Sequence, residues 1–543
     1  MRSAMFFPPY GDQLGSVVVS HVNGQLVDVL SGSIYPACVN VFEGRVVRIE
    51  HKISAPMRYI LPGLIDSRVR IESSSLTPFR FAEQAVAHGT SAVIADPTPV
   101  AAAMGMDGID FLVDAGKASP LRFYFAAPSS LPEQAGLGWK AVRDLMSRPD
   151  FVALGEVSEV ADVLAEEPEI MAKIEVARQA GKPVDGLAPG LKGYDLDRYI
   201  MTGVSSDRAC TSVKDAMEKE RRGMIIVVEQ GTAWRQIDAL AGYMKDNRFL
   251  LASGDLAAYD LVGGHIDDML RRAVAMGVDP VQAIRAATLW PAERYGLAGG
   301  SVYIGGAADL TVVNDLNEFR VLETWIRGEL VAKDGAPLFL ANPVGVAAPF
   351  AVASVGESDL AHRHSGTRAV VRTLEVTGQG LGVGRGSAEL AVEDGRAQPD
   401  PRADVALLAW IDPWRGGPPR TSFVRGFGLA SGAMATTYVR DGAGILAVGT
   451  DAASVADAMN MVLKAGGGKA ATRGTCWSVL ALPEGGMMSS LPAKEIGEGE
   501  LELRSFIREM GSPLPDPLLS LSYLGRELQW AFELEPTIEV PSV

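Results

Sequence analysis

From about residue 61 to residue 299 the chain alternates short apolar runs with amphipathic stretches, a pattern that restricts it to an α/β architecture with a parallel sheet. The runs SAVIADP, RFYFAAP, FVALGEV, MIIVVEQ and FLLASGD have the length and the β-branched or aromatic content of buried strands. PFRFAEQAVAHG and PEIMAKIEVARQAG, between them, space their apolar residues as helices do. A strand–helix repeat of about 240 residues is the size of a (β/α)8 barrel. An open doubly wound sheet alternates similarly, but no phosphate-cradling GxGxxG follows an early strand.

The flanks read differently. Residues 16–60 carry β-rich runs (SVVVSHV, LVDVL, VNVFEGRVVRI) broken by Gly, Ser and Asn, the mark of a small antiparallel sheet. After the helical stretches HIDDMLRRAVAMG and DPVQAIRAATLWPAERYG, β character returns at GSVYIGGAADLTVVND and VLETWIRGELVAKDG, so the two flanks are expected to pair into one sheet. This divides the chain into residues 1–60 with 300–345, a barrel over 61–299, and a C-terminal α+β domain over 346–543. The last has strands near Val370 and Leu407 and an amphipathic helix, ASVADAMNMVLKAGG, stopped by Gly466, Gly467 and Gly468.

Charge and composition exclude several classes of partner. A net charge of −16 without any Lys/Arg-rich block argues against nucleic acid and against anionic membrane surfaces. No apolar run approaches the roughly 18 residues of a membrane-spanning helix. The N-terminal MRSAMFFPPYG is interrupted by Pro8 and Pro9 and does not read as a secretion signal. Cys38, Cys210 and Cys476 are odd in number and far apart, which fits a reducing, cytoplasmic setting.

Leu61-Pro62-Gly63-Leu64-Ile65-Asp66 is followed in order by IESSSLTP, HGTSAVIADP, LGEV, DGLAPGL, GYDLDRY, GHID and GAADLTVV. In order and spacing this series resembles the adenine deaminase family. The resemblance continues through RGFGLASGAMATT and LAVGT and so covers nearly the whole chain. It implies an amidohydrolase-type (β/α)8 barrel, a composite β-sandwich and an adenine-deaminase-like C-terminal domain. The chemistry it implies is hydrolysis of adenine to hypoxanthine and ammonia with a bound divalent metal, and the assembly it implies is a homo-oligomer.

That chemistry needs a metal because a bound cation lowers the pKa of water from about 16 toward about 7. Where the family carries Asp-x-His-x-His after the first barrel strand, this chain reads Asp66-Ser67-Arg68-Val69-Arg70. Side chains at i and i+2 of a strand share a face and can reach one ion, but a guanidinium has no free lone pair to offer it. The family's Asp-Pro-His-Glu is here Asp96-Pro97-Thr98-Pro99, and its Asp-Gly-His-Ala-Pro is Asp185-Gly186-Leu187-Ala188-Pro189. Its Ser-Asp-His-Glu is Ser206-Asp207-Arg208-Ala209, and its paired aspartates are Gly254-Asp255. A family His-Asp-Ser-His-Asn run becomes Arg440-Asp441-Gly442-Ala443-Gly444.

Glu156, Asp255 and His265 are the candidate catalytic groups that persist, and Arg68, Arg70, Glu72, Ser73 and Arg208 are the candidate ligand-binding ones. No metal ligand set and no cofactor is expected, with manganese or another divalent ion only if the family activity survives. The arginines admit two readings: they bind a small anion, or they compensate carboxylates that a lost cation would otherwise leave unpaired. Three functions follow. The first is an adenine-deaminase-like protein inactive or impaired as a metal-dependent enzyme, a pseudoenzyme of purine chemistry. The second is a metal-independent hydrolase or anion-binding barrel built on Arg68, Arg70 and Arg208, and the third is an adenine deaminase with unusual ligands. In each the expected partner is a small molecule, a purine or a small anion.

Overall fold

The computed structural model describes residues 20–131, 137–339, 345–378 and 382–532. The N-terminal stretch weighed above as a secretion signal lies outside them. Within residues 61–299 the strands are Leu64–Val69, Thr90–Ala95, Arg122–Ala127, Phe151–Val157, Val184–Gly186, Ser206–Asp207, Ile225–Glu229 and Phe249–Ala252. They pair in chain order and in parallel, the first five in one sheet and the last three in another. Single bridges from Val184 to Val204 and from Val69 to Gly254 join the two sheets at both edges and close the ring.

Period-two alternation decides which side of each strand is inside. Ile65, Ala92, Ile94, Val152, Val227 and Leu250 fill the barrel interior. Their neighbours Val93, Phe125 and Leu154 pack with helix residues such as Phe81 and Leu112, while Ile226, Val228 and Leu251 pack with Leu240 and Leu270. The five apolar runs picked out in the sequence are all barrel strands. Val184–Gly186 and Ser206–Asp207, at three and two residues, are too short to show a pattern.

The two flanks build one eight-stranded sheet, in the order Ala336–Pro337, Glu329–Lys333, Val321–Ile326, Leu310–Val313, Tyr59–Pro62, Ser20–Val27, Ile34–Phe42, Arg45–His51. It is not wholly antiparallel as the N-terminal runs suggested. Tyr59–Pro62 lies parallel to Ser20–Val27 on one edge and antiparallel to Leu310–Val313 on the other, and it leads directly into the first barrel strand. Of GSVYIGGAADLTVVND, only Leu310–Val313 is strand.

The C-terminal domain is a nine-stranded sheet with a helix on each face. Ala452–Lys464 packs on one face through Val455, Met459 and Val462, and Ala493–Glu509 on the other through Leu503 and Ile507. Asp451 caps the first of these helices by accepting from Ser454 N at 2.7 Å, and the helix ends where Gly466, Gly467 and Gly468 all take positive φ. This domain lies across the C-terminal ends of the barrel strands. Leu76 bridges to Ser489, and Glu500 accepts from Ser75 Oγ at 2.8 Å and from the Ala258 amide at 3.0 Å. In a barrel of this kind that end carries the chemistry.

Candidate functional site

Each barrel strand delivers its last residues to the mouth, which is why the charged groups gather there although the strands themselves are apolar. The first strand supplies Arg68 and, just past its end, Arg70, and the second is followed by Asp96. Glu156 and Glu229 close the fourth and seventh strands, and Arg208 and Asp255 follow the sixth and eighth. From the opposite side the C-terminal domain lowers Tyr438, Arg440 and Asp441 on the segment after strand Ala433–Thr436. It adds Tyr523 and Arg526 from its last helical turns.

These groups interlock. Arg208 grips Glu156 with both ends of its fork, Nε to Oε2 at 3.0 Å and Nη2 to Oε1 at 2.6 Å, and donates from Nη1 to Glu229 Oε2 at 2.7 Å. Arg68 Nη2 lies 2.8 Å from Glu156 Oε2 and 3.1 Å from Asp96 Oδ2. Arg70 donates from Nε to Asp96 at 3.1 Å and from Nη2 to Asp441 at 3.0 Å. Arg440 donates to Asp255 at 2.7 Å and to Asp441 at 2.9 Å, and its guanidinium sits 4.8 Å from the centre of the Tyr523 ring. Tyr438 and Tyr523 donate their hydroxyls to Asp255 at 3.0 and 2.9 Å. Arg526 completes the set, meeting Asp441 at 2.5 Å and Glu156 at 3.4 Å. Among the described residues the ion pairs thus join five arginines (68, 70, 208, 440, 526) to five carboxylates (96, 156, 229, 255, 441), a neutral set.

The proton affinities follow from that arrangement. Burial opposes ionisation of Glu156, yet Arg208, Arg68, Arg440 and Arg70 outweigh it and hold its carboxyl well below the usual range. Burial likewise opposes ionisation at Asp255, Asp96 and Asp441, and the arginines beside each again prevail and lower their pKa. Burial and the nearby Arg440 work against the charge on Arg70, but Asp96, Asp441 and Asp255 more than restore it. Every member of the set for which a direction is resolved is thereby locked in its charged form. A general acid or base at neutral pH needs the reverse, a proton free to leave or arrive near that pH.

The remaining sequence candidates sit elsewhere. His265 begins helix Ile266–Ala275, but it is fully buried and not at the rim: Nε2 faces Asp66 Oδ2 at 3.0 Å and Nδ1 faces Thr90 Oγ1 at 2.7 Å. Asp66 also accepts from the backbone amides of Arg68 and Ser253 at 3.1 and 3.0 Å, and from the Ser253 hydroxyl. Glu72 accepts from the Val100 amide at 3.2 Å while its Oε2 is buried without a partner, and burial pushes its carboxyl up to about 7. Ser73 donates to the Arg70 carbonyl at 2.6 Å and accepts from the Leu256 amide at 3.0 Å, which ties the first strand's exit to the eighth's. A cavity lined by Ser73, Asp255, Tyr438, Lys469 and Asp516 opens beside this tie, with about 310 Å³ of space that includes open solvent. The three arginines of the barrel therefore converge on acids.

The Amidohydrolase family pattern matches residues 59–331, and the Adenine deaminase C-terminal domain pattern matches residues 384–528. An adenine deaminase of Methanothermobacter thermautotrophicus is 38% identical over 93% of this chain and 95% of its own length. Adenine deaminases of Salinibacter ruber and Methanosphaera stadtmanae are 36% and 35% identical over 93% of this chain and 94% of their own. This chain belongs to the adenine deaminase family.

Adenine deaminases of the amidohydrolase type generally use a divalent metal, and the residues at this mouth do not fit one. Its nitrogen donors are guanidiniums, which carry protons on every nitrogen, and its carboxylates already accept from those N–H groups. Among the described residues no group of three or more His, Cys, Asp or Glu is placed to hold an ion. Against the adenine deaminase pattern, Gly254 acquires a physical reason. Its φ is +63°, and a Cβ there would lie 2.1 Å from the Glu229 carboxyl carbon, so that carboxylate fills the space a side chain at 254 would need.

Asp96, Glu229, Tyr438, Arg440, Asp441, Tyr523 and Arg526 were not singled out as site residues from the sequence. Glu229 had a usable signal, since it ends an apolar run at the end of a barrel strand where chemistry gathers. Arg440 and Asp441 had one only through the resemblance, as counterparts of a family His-Asp run, and Tyr438, Tyr523 and Arg526 had none; nothing local joins groups such as Arg70 and Asp441, 371 positions apart.

Proposed function

We propose that this adenine deaminase family member does not work as a metal-dependent deaminase, and that its barrel mouth is a sealed arginine–carboxylate lattice. One observation carries the reading: Glu156 is met by Arg68 at 2.8 Å and by Arg208 at 2.6 Å, so resident cations already satisfy the acid best placed to help bind a metal. Charge compensation is the role of the arginines, and removing several ligands at once costs orders of magnitude in activity. The test is elemental analysis of the purified protein with an adenine deamination assay, with and without added manganese. Substoichiometric metal and no ammonia release above background are expected. Manganese-stimulated ammonia release that a chelator abolishes would overturn the proposal and restore the third function.

A second reading, a small-anion site, is favoured by Arg68 Nη1, Arg70 Nη1 and Arg440 Nη2, buried nitrogens without hydrogen-bond acceptors. It predicts saturable thermal stabilisation by chloride, formate or phosphate at constant ionic strength, which the sealed lattice does not. The described cysteines, all unpaired, fit the cytoplasmic setting we propose.

A further inference from the structure

Water reaches the five guanidiniums of the lattice unequally. The side chains of Arg68, Arg70, Arg208 and Arg440 are at most 10% exposed, whereas that of Arg526 is 33% exposed. Arg526 also rides on a four-residue 3-10 turn, Leu524–Glu527, which is anchored to the C-terminal domain through the buried Leu524 and not through the arginine. From there its guanidinium reaches inward to Asp441 Oδ2 at 2.5 Å and Glu156 Oε1 at 3.4 Å. Its partners are more buried, Asp441 at 12% and Glu156 at 4%, but each keeps other arginines when Arg526 leaves, and exposed side chains change rotamer within nanoseconds. The buried arginines have no such freedom, because moving any of them strands an acid away from water.

Charge decides what the vacated position would accept. With Arg526 swung out, four guanidiniums face the five carboxylates of the ion-paired set, an excess of one negative charge. One monovalent cation restores neutrality, and a divalent ion overshoots it. Two carboxylate oxygens on different residues also favour a planar donor fork over a spherical ion.

We infer that Arg526 is a displaceable gate: its guanidinium occupies, from within the chain, a slot between Asp441 and Glu156 that takes a guanidinium- or amidinium-type cation when the arginine moves aside. The slot exists whether or not the barrel turns over a substrate.

Carbodiimide-driven amidation of carboxylates in the full chain, read residue by residue by mass spectrometry, tests this. In Arg526→Ala, labelling of Asp441 and Glu156 should rise about tenfold over the unsubstituted protein, as a locally opened site does, while the deeply buried Asp66 stays unlabelled. About 20 mM guanidinium or ethylguanidinium, far below the molar concentrations that unfold proteins, should reverse the rise. The same concentration of sodium chloride should not. Unchanged labelling, protection by sodium chloride equal to that by guanidinium, or a parallel rise at Asp66 each overturns the gate. Should the alanine variant fail to fold, Arg526→Gln carries the same expected rise and the same reversal.

Discussion

Two polar networks share this barrel and satisfy a buried carboxylate by different means. Asp66 rests on two backbone amides, a serine hydroxyl and His265. Glu156 rests on permanent cations, with Arg68, Arg208 and Arg526 within 3.4 Å and Arg70 and Arg440 within 3.9 Å. Backbone amides cannot be mutated away, so the first network tolerates loss of a side chain. The second depends on a count of charges, and taking away one buried cation leaves an excess of negative charge away from water. Position sets the tolerance of each network more than the strength of any single contact.

The comparison is broken most directly at Arg440. Arg440→Met should lower the unfolding free energy by about 3–5 kcal/mol, because it takes from the buried Asp255 the cation that balances its charge. Urea denaturation measures this.

Glu72 sharpens the contrast through pH. Its carboxyl is raised from 4.5 to about 7, so the unfolded chain releases this proton near pH 4.5 while the folded chain keeps it to about pH 7. Its contribution is therefore complete below pH 4.5 and lost as the pH rises to 7, a change on the order of 3 kcal/mol. The lowered carboxyls of Glu156, Asp96, Asp255 and Asp441 act with the opposite sign: their stabilisation is present above the usual carboxylate range and lost on acidification. Glu72→Gln should remove the decline between pH 4.5 and 7 and leave the acid limb in place, as read from denaturation midpoints across that range.

His265→Leu should cost less, about 1–3 kcal/mol, since Asp66 keeps its amides and only Thr90 loses its partner. A loss larger than that of Arg440→Met would refute the distinction between the networks. The smallest effect is expected for Arg526→Ala, about 1 kcal/mol in the same assay, because water can take the place of this 33%-exposed side chain while Asp441 and Glu156 keep their buried arginines.

How far the sequence reached follows from the range of its signals. The barrel was legible because strand and helix periods repeat locally, and Arg68 and Arg70 because two positions along an extended segment share a side. Their meeting with Glu156 was legible as well, since ends of barrel strands converge. What no local pattern reveals is the half of the lattice lowered from the C-terminal domain, of which the family resemblance marked only Arg440 and Asp441. Tyr438, Arg440, Asp441, Tyr523 and Arg526 lie on loops and short turns with no periodicity, and only the docking of one domain on another brings them to the mouth. Asp255 shows the limit well. It follows a barrel strand, yet Arg440, Tyr438 and Tyr523, all from the C-terminal domain, hold it.

Gly254 constrains how this mouth can change. At φ +63° any other side chain there is strained, and its Cβ would meet the carboxylate of Glu229, which then has to move off or be shortened. Shortening Glu229 in turn deprives Arg208 of one of its two acids. An acid at position 254 therefore comes at the cost of the Glu229–Arg208 contact. Glycine at 254 and the glutamate at 229 are thus coupled choices: the bare backbone of the one is the room in which the other meets Arg208.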